Sequence, residues 1–415
     1  MSRTTKRLAC GAALVLGLTA CGPVRQAATQ APARHPKSAE KEPQGLVTGP
    51  SSSALPVEAR NIRLLRSGRS ELALRFDLFN GAAKRISFGD LGLDDRERLL
   101  ALVDPQRGTA YSPRVSEDTD IEPGQSAPLT AVFPAPPEDA TELLVVADGL
   151  LPVMVPIEDG DPVPAGTERE GETGALVCAT TGRTGATYRL PSDVLFKGDG
   201  ATLSPAARAA IDALRERVTS TSGQVTVDGR HLSEQRAAAV NDALRESLGD
   251  DFTYRTAGHG GRAQNRRVDV TVASGENALG RRSDTTDLSD AGLVAEVASV
   301  RRLAGYVLAS VKVTNPTAAP LALDYDNHYT PKELTTGQLS LAGEQARYDV
   351  CGFAEPTYFD FVGTLSQRFA PGKLGSLPPD ASVTLWGLFP APATSSVQVE
   401  IAGFADTLTA DISPG

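Results

Sequence analysis

The chain has 415 residues, a net charge of -10, 40% hydrophobic and 22% charged residues. That length predicts two to four domains. The acidic balance argues against a nucleic-acid binder, which needs a cationic face, and no phosphate-cradling glycine loop of the P-loop kind is present.

The first element is a targeting signal. Arg3, Lys6 and Arg7 form a basic start, and Leu8 to Leu18 is apolar but too short to span a bilayer comfortably. It ends in Leu18-Thr19-Ala20-Cys21, which resembles a bacterial lipobox. The resemblance implies removal of residues 1–20 and lipidation of Cys21 by a thioether diacylglycerol and further acylation of the palmitate kind. Two acyl chains anchor a protein stably where one does not. The expected location is therefore the cell membrane, lipid-anchored on the extracytoplasmic face, or the outer membrane in a diderm envelope. Residues 21–54 are rich in Pro, Ala, Gln and Ser, too poor in large apolar side chains to fold, and read as a tether. Beyond Cys21 only Cys178 and Cys351 remain. In an oxidising compartment they form either a disulfide or two separate buried thiols, and composition does not choose between them.

An internal repeat follows. Ile121-Glu122-Pro123-Gly124 and Phe133-Pro134-Ala135-Pro136 recur at the same spacing as Leu377-Pro378-Pro379-Asp380 and Phe389-Pro390-Ala391-Pro392. Upstream, Leu72, Leu74, Phe76 and Leu78 alternate with other residues up to Asn80, as Val307, Ala309, Val311 and Val313 do up to Asn315. Period two predicts half-buried strands, and several short strands with Pro/Gly turns predict antiparallel sandwiches. They are placed at 55–158 and 290–413, with linkers at 159–173 and 276–289. Both look like the immunoglobulin-like modules of bacterial surface lipoproteins, although an immunoglobulin Cys…Trp…Cys spacing is absent. His328 beside Asp324, Asp326 and Tyr329 reads as a solvated loop rather than a metal site.

Residues 174–275 differ. Tyr188 to Phe196 is strand-like. Ser204 is a good N-cap, Pro205 suits the first helical position, and Ala207, Ile211, Leu214 and Val218 form a helical stripe. Val225-Thr226-Val227 is a short strand. A second helix from Ser233 buries Ala237, Val240, Leu244 and Leu248 and stops at Gly249. Two strands, Phe252 to Thr256 and Val268 to Val272, complete the order β-α-β-α-β-β. The expected fold class is thus multidomain α+β, with this domain between two antiparallel β-sandwiches.

The order, together with Leu232-Ser233-Glu234-Gln235-Arg236-Ala237 and Asn265-Arg266-Arg267-Val268-Asp269-Val270, resembles the OmpA-like domain of bacterial envelope proteins. The resemblance covers about a quarter of the chain. It implies noncovalent binding of the peptidoglycan stem peptide, with an arginine taking a ligand carboxylate and an aspartate taking its ammonium; a planar guanidinium suits the first task. By position the arginine is Arg236. The family's Gly-His-Thr-Asp string is not matched: Asp228-Gly229 runs almost directly into Arg230-His231-Leu232-Ser233. Asp228 or Glu234 would have to stand in for the lost acid, with Asn265, Arg266 and Arg267 lining the same groove. Otherwise Arg236 takes a different anion, or is a structural remnant paired to a carboxylate. Otherwise Asn265-Arg266-Arg267 is a solvated start to a strand. His259 and His231 show no metal-ligand spacing.

The expected partners are peptidoglycan, the membrane through the lipid, and other envelope proteins, with no nucleic acid and no cofactor. The primary reading is an envelope lipoprotein associating with peptidoglycan. Its alternative is an interaction scaffold that has lost that ligand. Four isolated histidines and no Ser-His-Asp or paired-carboxylate pattern give no grounds for an enzyme.

Overall fold

Strands dominate. In the computed structural model of this chain 58% of the described residues are strand and 13% are helix. The structure describes residues 47–49, 56–87, 100–115, 119–147, 150–160, 172–196, 200–218, 220–228, 234–257, 267–273, 292–320, 339–354, 363–364, 377–401, 404 and 406–415. All of these belong to one unit, Leu46–Gly415.

The first part of the chain comprises β1 (Val47–Gly49), β2 (Val57–Ser67), β3 (Glu71–Asn80), β4 (Ile86–Ser87), β5 (Leu100–Asp104), β6 (Thr109–Ser112), β7 (Arg114–Val115), β8 (Asp120–Ile121), β9 (Ser126–Pro134), β10 (Glu142–Ala147) and β11 (Val153–Asp159). Strands β2, β3 and β9 pair in one layer. Strands β6, β5, β10 and β11 pair in the facing layer. Between them lies a core that includes Leu64, Leu74, Leu102, Leu129, Phe133 and Leu143. Strand β11 then crosses to pair in parallel with β2, Ile157 opposite Leu64.

The middle of the chain contains β12 (Glu172–Gly182), β13 (Gly185–Pro191), α1 (Ser192–Leu195), α2 (Pro205–Arg217), β14 (Gly223–Asp228), α3 (Glu234–Leu248), β15 (Phe252–Ala257) and β16 (Arg267–Ala273). Helix α2 starts where its cap is: Ser204 Oγ accepts from Ala207 N at 3.0 Å, and Pro205 fills the first helical position, which needs no N–H. Ala207, Ile211 and Leu214 of α2 and Ala237, Val240 and Leu244 of α3 pack on Tyr188, Val225, Val227, Val268 and Val270.

The last part holds β17 (Val294–Leu303), β18 (Tyr306–Thr314), β19 (Leu339–Ala342), β20 (Ala346–Asp349), β21 (Gly352–Ala354), β22 (Gly363–Thr364), β23 (Ser382–Pro390), β24 (Ser396–Ile401) and β25 (Leu408–Asp411). Strands β17, β18 and β23 form one layer; β20, β19, β24 and β25 form the other. The register repeats that of the first part. Asn80 and Asn315, both fully buried, donate through Nδ2 to two backbone carbonyls each: Lys84 and Ile121 in one copy (both 2.9 Å), Ala319 and Leu377 in the other (both 2.8 Å). Arg66 and Arg302 likewise clamp the carbonyls of Pro136 and Pro392, which end the repeated Phe-Pro-Ala-Pro strings.

The expectation of a multidomain α+β chain, with a self-contained OmpA-like α+β domain between two sandwiches, is overturned. Among the described residues three helices sit on a mostly β body whose main sheet takes in 20 strands. The reason is β12. Its first half pairs with β6, Thr173 opposite Tyr111, and its second half with β20, Thr180 opposite Tyr348, while its other edge carries β13. An unpaired edge strand leaves backbone N–H and C=O groups in need of partners. One long strand supplies them to the edges of both repeats, so the middle segment is built into their sheets.

The repeats also touch directly. Val103, Leu144 and Val146 of the first and Tyr306, Leu308, Trp386 and Leu388 of the second share one buried cluster with Leu176, Cys178 and Cys351.

Candidate functional site

Arg236 lies in the first turn of α3, the end of a helix that favours anions. Its guanidinium is engaged by its own chain. Nε donates to Gly200 O at 2.9 Å, and Cζ lies 4.8 Å from the centre of the Phe196 ring. Glu234, two residues earlier, is exposed.

Asp228 is brought to a different place. Val225 and Val227 are buried under the helices, so period two turns Asp228 to the opposite face of the sheet. There it stands directly across from Asp269, which stands across from Arg189 on β13. Arg189 Nε approaches Asp269 Oδ1 at 3.6 Å. The structure therefore places Arg236 on the helix side and Asp228 on the far side, and does not bring them together as a ligand pair. Arg267 opens β16, its backbone opposite Pro191. Asn265, Arg266, His231, His259, His328 and Cys21 lie outside the described residues.

Cys178 and Cys351, 173 positions apart in sequence, are joined by a disulfide, with their Cα atoms 4.2 Å apart. Both are buried. Beside them, Arg217 at the end of α2 donates through Nη1 to Val177 O at 2.9 Å and to Val350 O at 3.4 Å. Those are the carbonyls just before the two cysteines. Burial pushes the Arg217 pKa down, and Asp349 and Tyr188 partly oppose this. Tyr188, whose hydroxyl donates to Arg217 O, has its own pKa pushed up by burial.

A cleft of about 480 Å³ opens where the first repeat meets α1, α2 and β12. One wall carries Ala135 of the Phe-Pro-Ala-Pro string and Pro137 and Asp139 just after it, with Arg107 from the β5–β6 turn and Thr109 from the start of β6. The other carries Val194, Phe196, Pro205 and Ala206. Arg107 is fixed from two sides: Nη1 reaches Asp104 Oδ2 at 2.7 Å, and Nη2 reaches Asp139 Oδ2 at 2.6 Å. Burial alone would lower its pKa, but the hydrogen bond and charge of Asp104, with Asp139, raise it. Sequence reasoning missed this cleft. The local signal was Asp104-Pro105-Gln106-Arg107-Gly108, a turn string; nothing in it says that α2 lies opposite.

Phe196 lines the cleft and also lies under Arg236, so Arg236 supports one of its walls. No group of His, Cys, Asp and Glu among the described residues has the arrangement of a metal site, and no described helix is long and apolar enough to cross a membrane. No protein-family model matches the chain, and no curated protein matches it either.

Proposed function

We propose that the chain is a lipid-anchored protein of the bacterial cell envelope, and that its folded body is a rigid interaction scaffold held off the membrane by a tether. The observation that carries this reading is the Cys178–Cys351 disulfide. Disulfides persist on the extracytoplasmic side, where a lipobox such as Leu18-Thr19-Ala20-Cys21 would deliver the chain. The bridge fixes β12 to the second repeat, while β12 itself is hydrogen-bonded to the first.

What favours a scaffold over peptidoglycan binding is the fate of the arginine. Nε of Arg236 donates to Gly200 O and its guanidinium lies over the Phe196 ring, and Asp228 faces the other side of the sheet. A backbone hydrogen bond and a ring contact of this kind give an arginine a structural role without a ligand.

Two measurements test the proposal. Mass spectrometry of the mature N-terminus should find diacylglycerol on Cys21, and Cys21→Ala should move the protein from membrane to soluble fractions. An unmodified Cys21 overturns the anchor. In sedimentation with purified peptidoglycan the scaffold reading expects no retention. Retention that Arg236→Ala abolishes, with the fold intact by circular dichroism, would replace the scaffold by a wall-binding protein.

A further inference from the structure

We propose that the cleft between the first repeat and α2 binds an amphipathic organic carboxylate, with the carboxylate on Arg107 and the apolar body against Phe196, Val194 and Pro137. The volume, about 480 Å³, lies within the usual range for small-molecule sites. Its walls are mostly apolar and stiff, with two prolines, Pro137 and Pro205, among them.

Arg107 is the polar anchor. Asp104, whose side chain is only 3% exposed, grips it from behind through Nη1. Asp104 is itself held, because its Oδ1 accepts from Gln106 N at 2.9 Å and from Arg107 N at 3.1 Å. A guanidinium fixed this way is oriented before any ligand arrives, which lowers the entropy cost of binding. Its second nitrogen, Nη2, meets only Asp139, which is 77% exposed. An exposed carboxylate contributes little to such a pair. It can leave for water when a ligand carboxylate offers the same contact together with burial of an apolar body. The positive end of α2, a 13-residue helix beginning in the same cleft, favours the same sign of charge, opposed by the exposed Asp193 that also lines it.

The second repeat supplies a control. Its β19–β20 turn, Gly343-Glu344-Gln345, occupies the place of Asp104 to Gly108 and has neither the aspartate nor the arginine. The repeat folds without them, so the Asp104–Arg107 pair is not a requirement of the architecture.

The test uses titration calorimetry on the full-length protein with 3-phenylpropionate and octanoate, and with 3-phenylpropanol and octanol as uncharged counterparts. The carboxylates should bind about tenfold or more tightly than the alcohols, as expected for charge-assisted pairing. Asp139→Asn, on an exposed loop, should tighten carboxylate binding by about three- to tenfold by removing the competing anion. Arg107→Lys, which keeps the charge beside Asp104 but loses the fork, should weaken it by about tenfold. The proposal is overturned by equal affinity for acid and alcohol, by no heat from either at millimolar concentration, or by weaker binding in Asp139→Asn. None of these results bears on lipidation or on peptidoglycan, so the scaffold reading stands or falls separately.

Discussion

The two repeats have the same layers and bury opposite outer faces. In the first, the outward side of β5, β6 and β10 is apolar: Val103, Ala110, Leu144 and Val146 are buried against the second repeat. The matching positions of the second, by strand register, are Ala342, Arg347, Gln398 and Glu400. There Glu400 accepts from Ser340 Oγ at 3.1 Å and pairs with Arg347 Nη2 at 2.9 Å. The other layer is reversed. Tyr306, Leu308 and Trp386 of the second repeat are buried in the interface, where the first has Glu71, Ala73 and Thr130. Duplication thus preserved the inner core and rewrote the outer faces, so that one copy's sheet packs on the other copy's opposite sheet. The contact joins unlike surfaces, and neither copy offers its partner's face for pairing with itself.

A second difference lies in the turns. At the reversal after Pro123 the first repeat has Gly124 at φ +73°, and the second has Asp380 at φ +58°. In the hairpin that opens each repeat, the first uses Gly68 at φ +68° and the second Ala304 at φ +51°. Left-handed backbone costs a residue with a Cβ roughly 1–2 kcal/mol, less for Asp, whose side chain can bond locally. At both places the first copy has a glycine in the left-handed backbone and the second a residue with a Cβ, and the opening hairpins also differ in loop length, since Ser67 pairs with Glu71 and Leu303 with Tyr306.

The largest effect should come from the bridge between the halves. Cys178→Ser with Cys351→Ser opens a 173-residue loop and should lower stability by about 3–5 kcal/mol. Urea unfolding followed by Trp386, the single tryptophan and a neighbour of both cysteines in the buried cluster, measures it. A separate, earlier transition of one repeat would show that the bridge is what makes them unfold together.

Next in size are the buried asparagines. Asn80→Ala and Asn315→Ala each strand one buried carbonyl, that of Ile121 or Leu377, beside a part-buried one, and should cost about 2–3 kcal/mol each. The same denaturant series should give matching values for the two copies. A gap above about 1 kcal/mol would mean that the repeats do not share this device energetically.

Relaxing the second copy's turns should have a smaller, opposite effect. Ala304→Gly should stabilise by about 0.5–1 kcal/mol, and Asp380→Gly by a few tenths, since glycine's extra freedom when unfolded offsets part of the gain. Gly124→Ala should destabilise, although its Cβ would meet nothing within 4 Å.

The smallest effect at neutral pH is that of the matched tyrosines, Tyr111 and Tyr348. Burial raises both pKa values; nearby Asp104 raises Tyr111 further, whereas Arg189 draws Tyr348 back. A raised folded pKa leaves stability intact below the ordinary tyrosine value of about 10 and removes it as the pH rises beyond that. Stability should therefore be flat through neutrality and fall in alkali. In an ultraviolet titration Tyr348 should ionise before Tyr111; the reverse order would break the comparison.

Much of the inner architecture was legible. The alternation from Leu72 to Leu78 and from Val307 to Val313 identifies strands, because a half-buried strand must alternate. Ser204-Pro205 identifies the start of α2, because a helix end needs its N–H groups satisfied. The interface was legible only in part. Leu100–Asp104 is buried at every position, and so is Tyr306–Val311. Such runs signal cover on both faces without saying what covers them. The candidate site was hardly legible. Arg107, Asp139, Phe196 and Ala206 belong to separate segments, and no spacing links them.

The sequence by itself determined the repeat, the paired strands that end at Asn80 and Asn315, and the N-cap of α2. All of these depend on near neighbours along the chain or on period. Tertiary structure alone decided that β12 serves both sheets, that Cys178 meets Cys351, that Arg236 and Asp228 part to opposite faces, and that α2 closes a cleft over Arg107. Each of those depends on which strand edges need hydrogen-bond partners and which apolar faces need cover, and such needs are met by segments far apart in the chain.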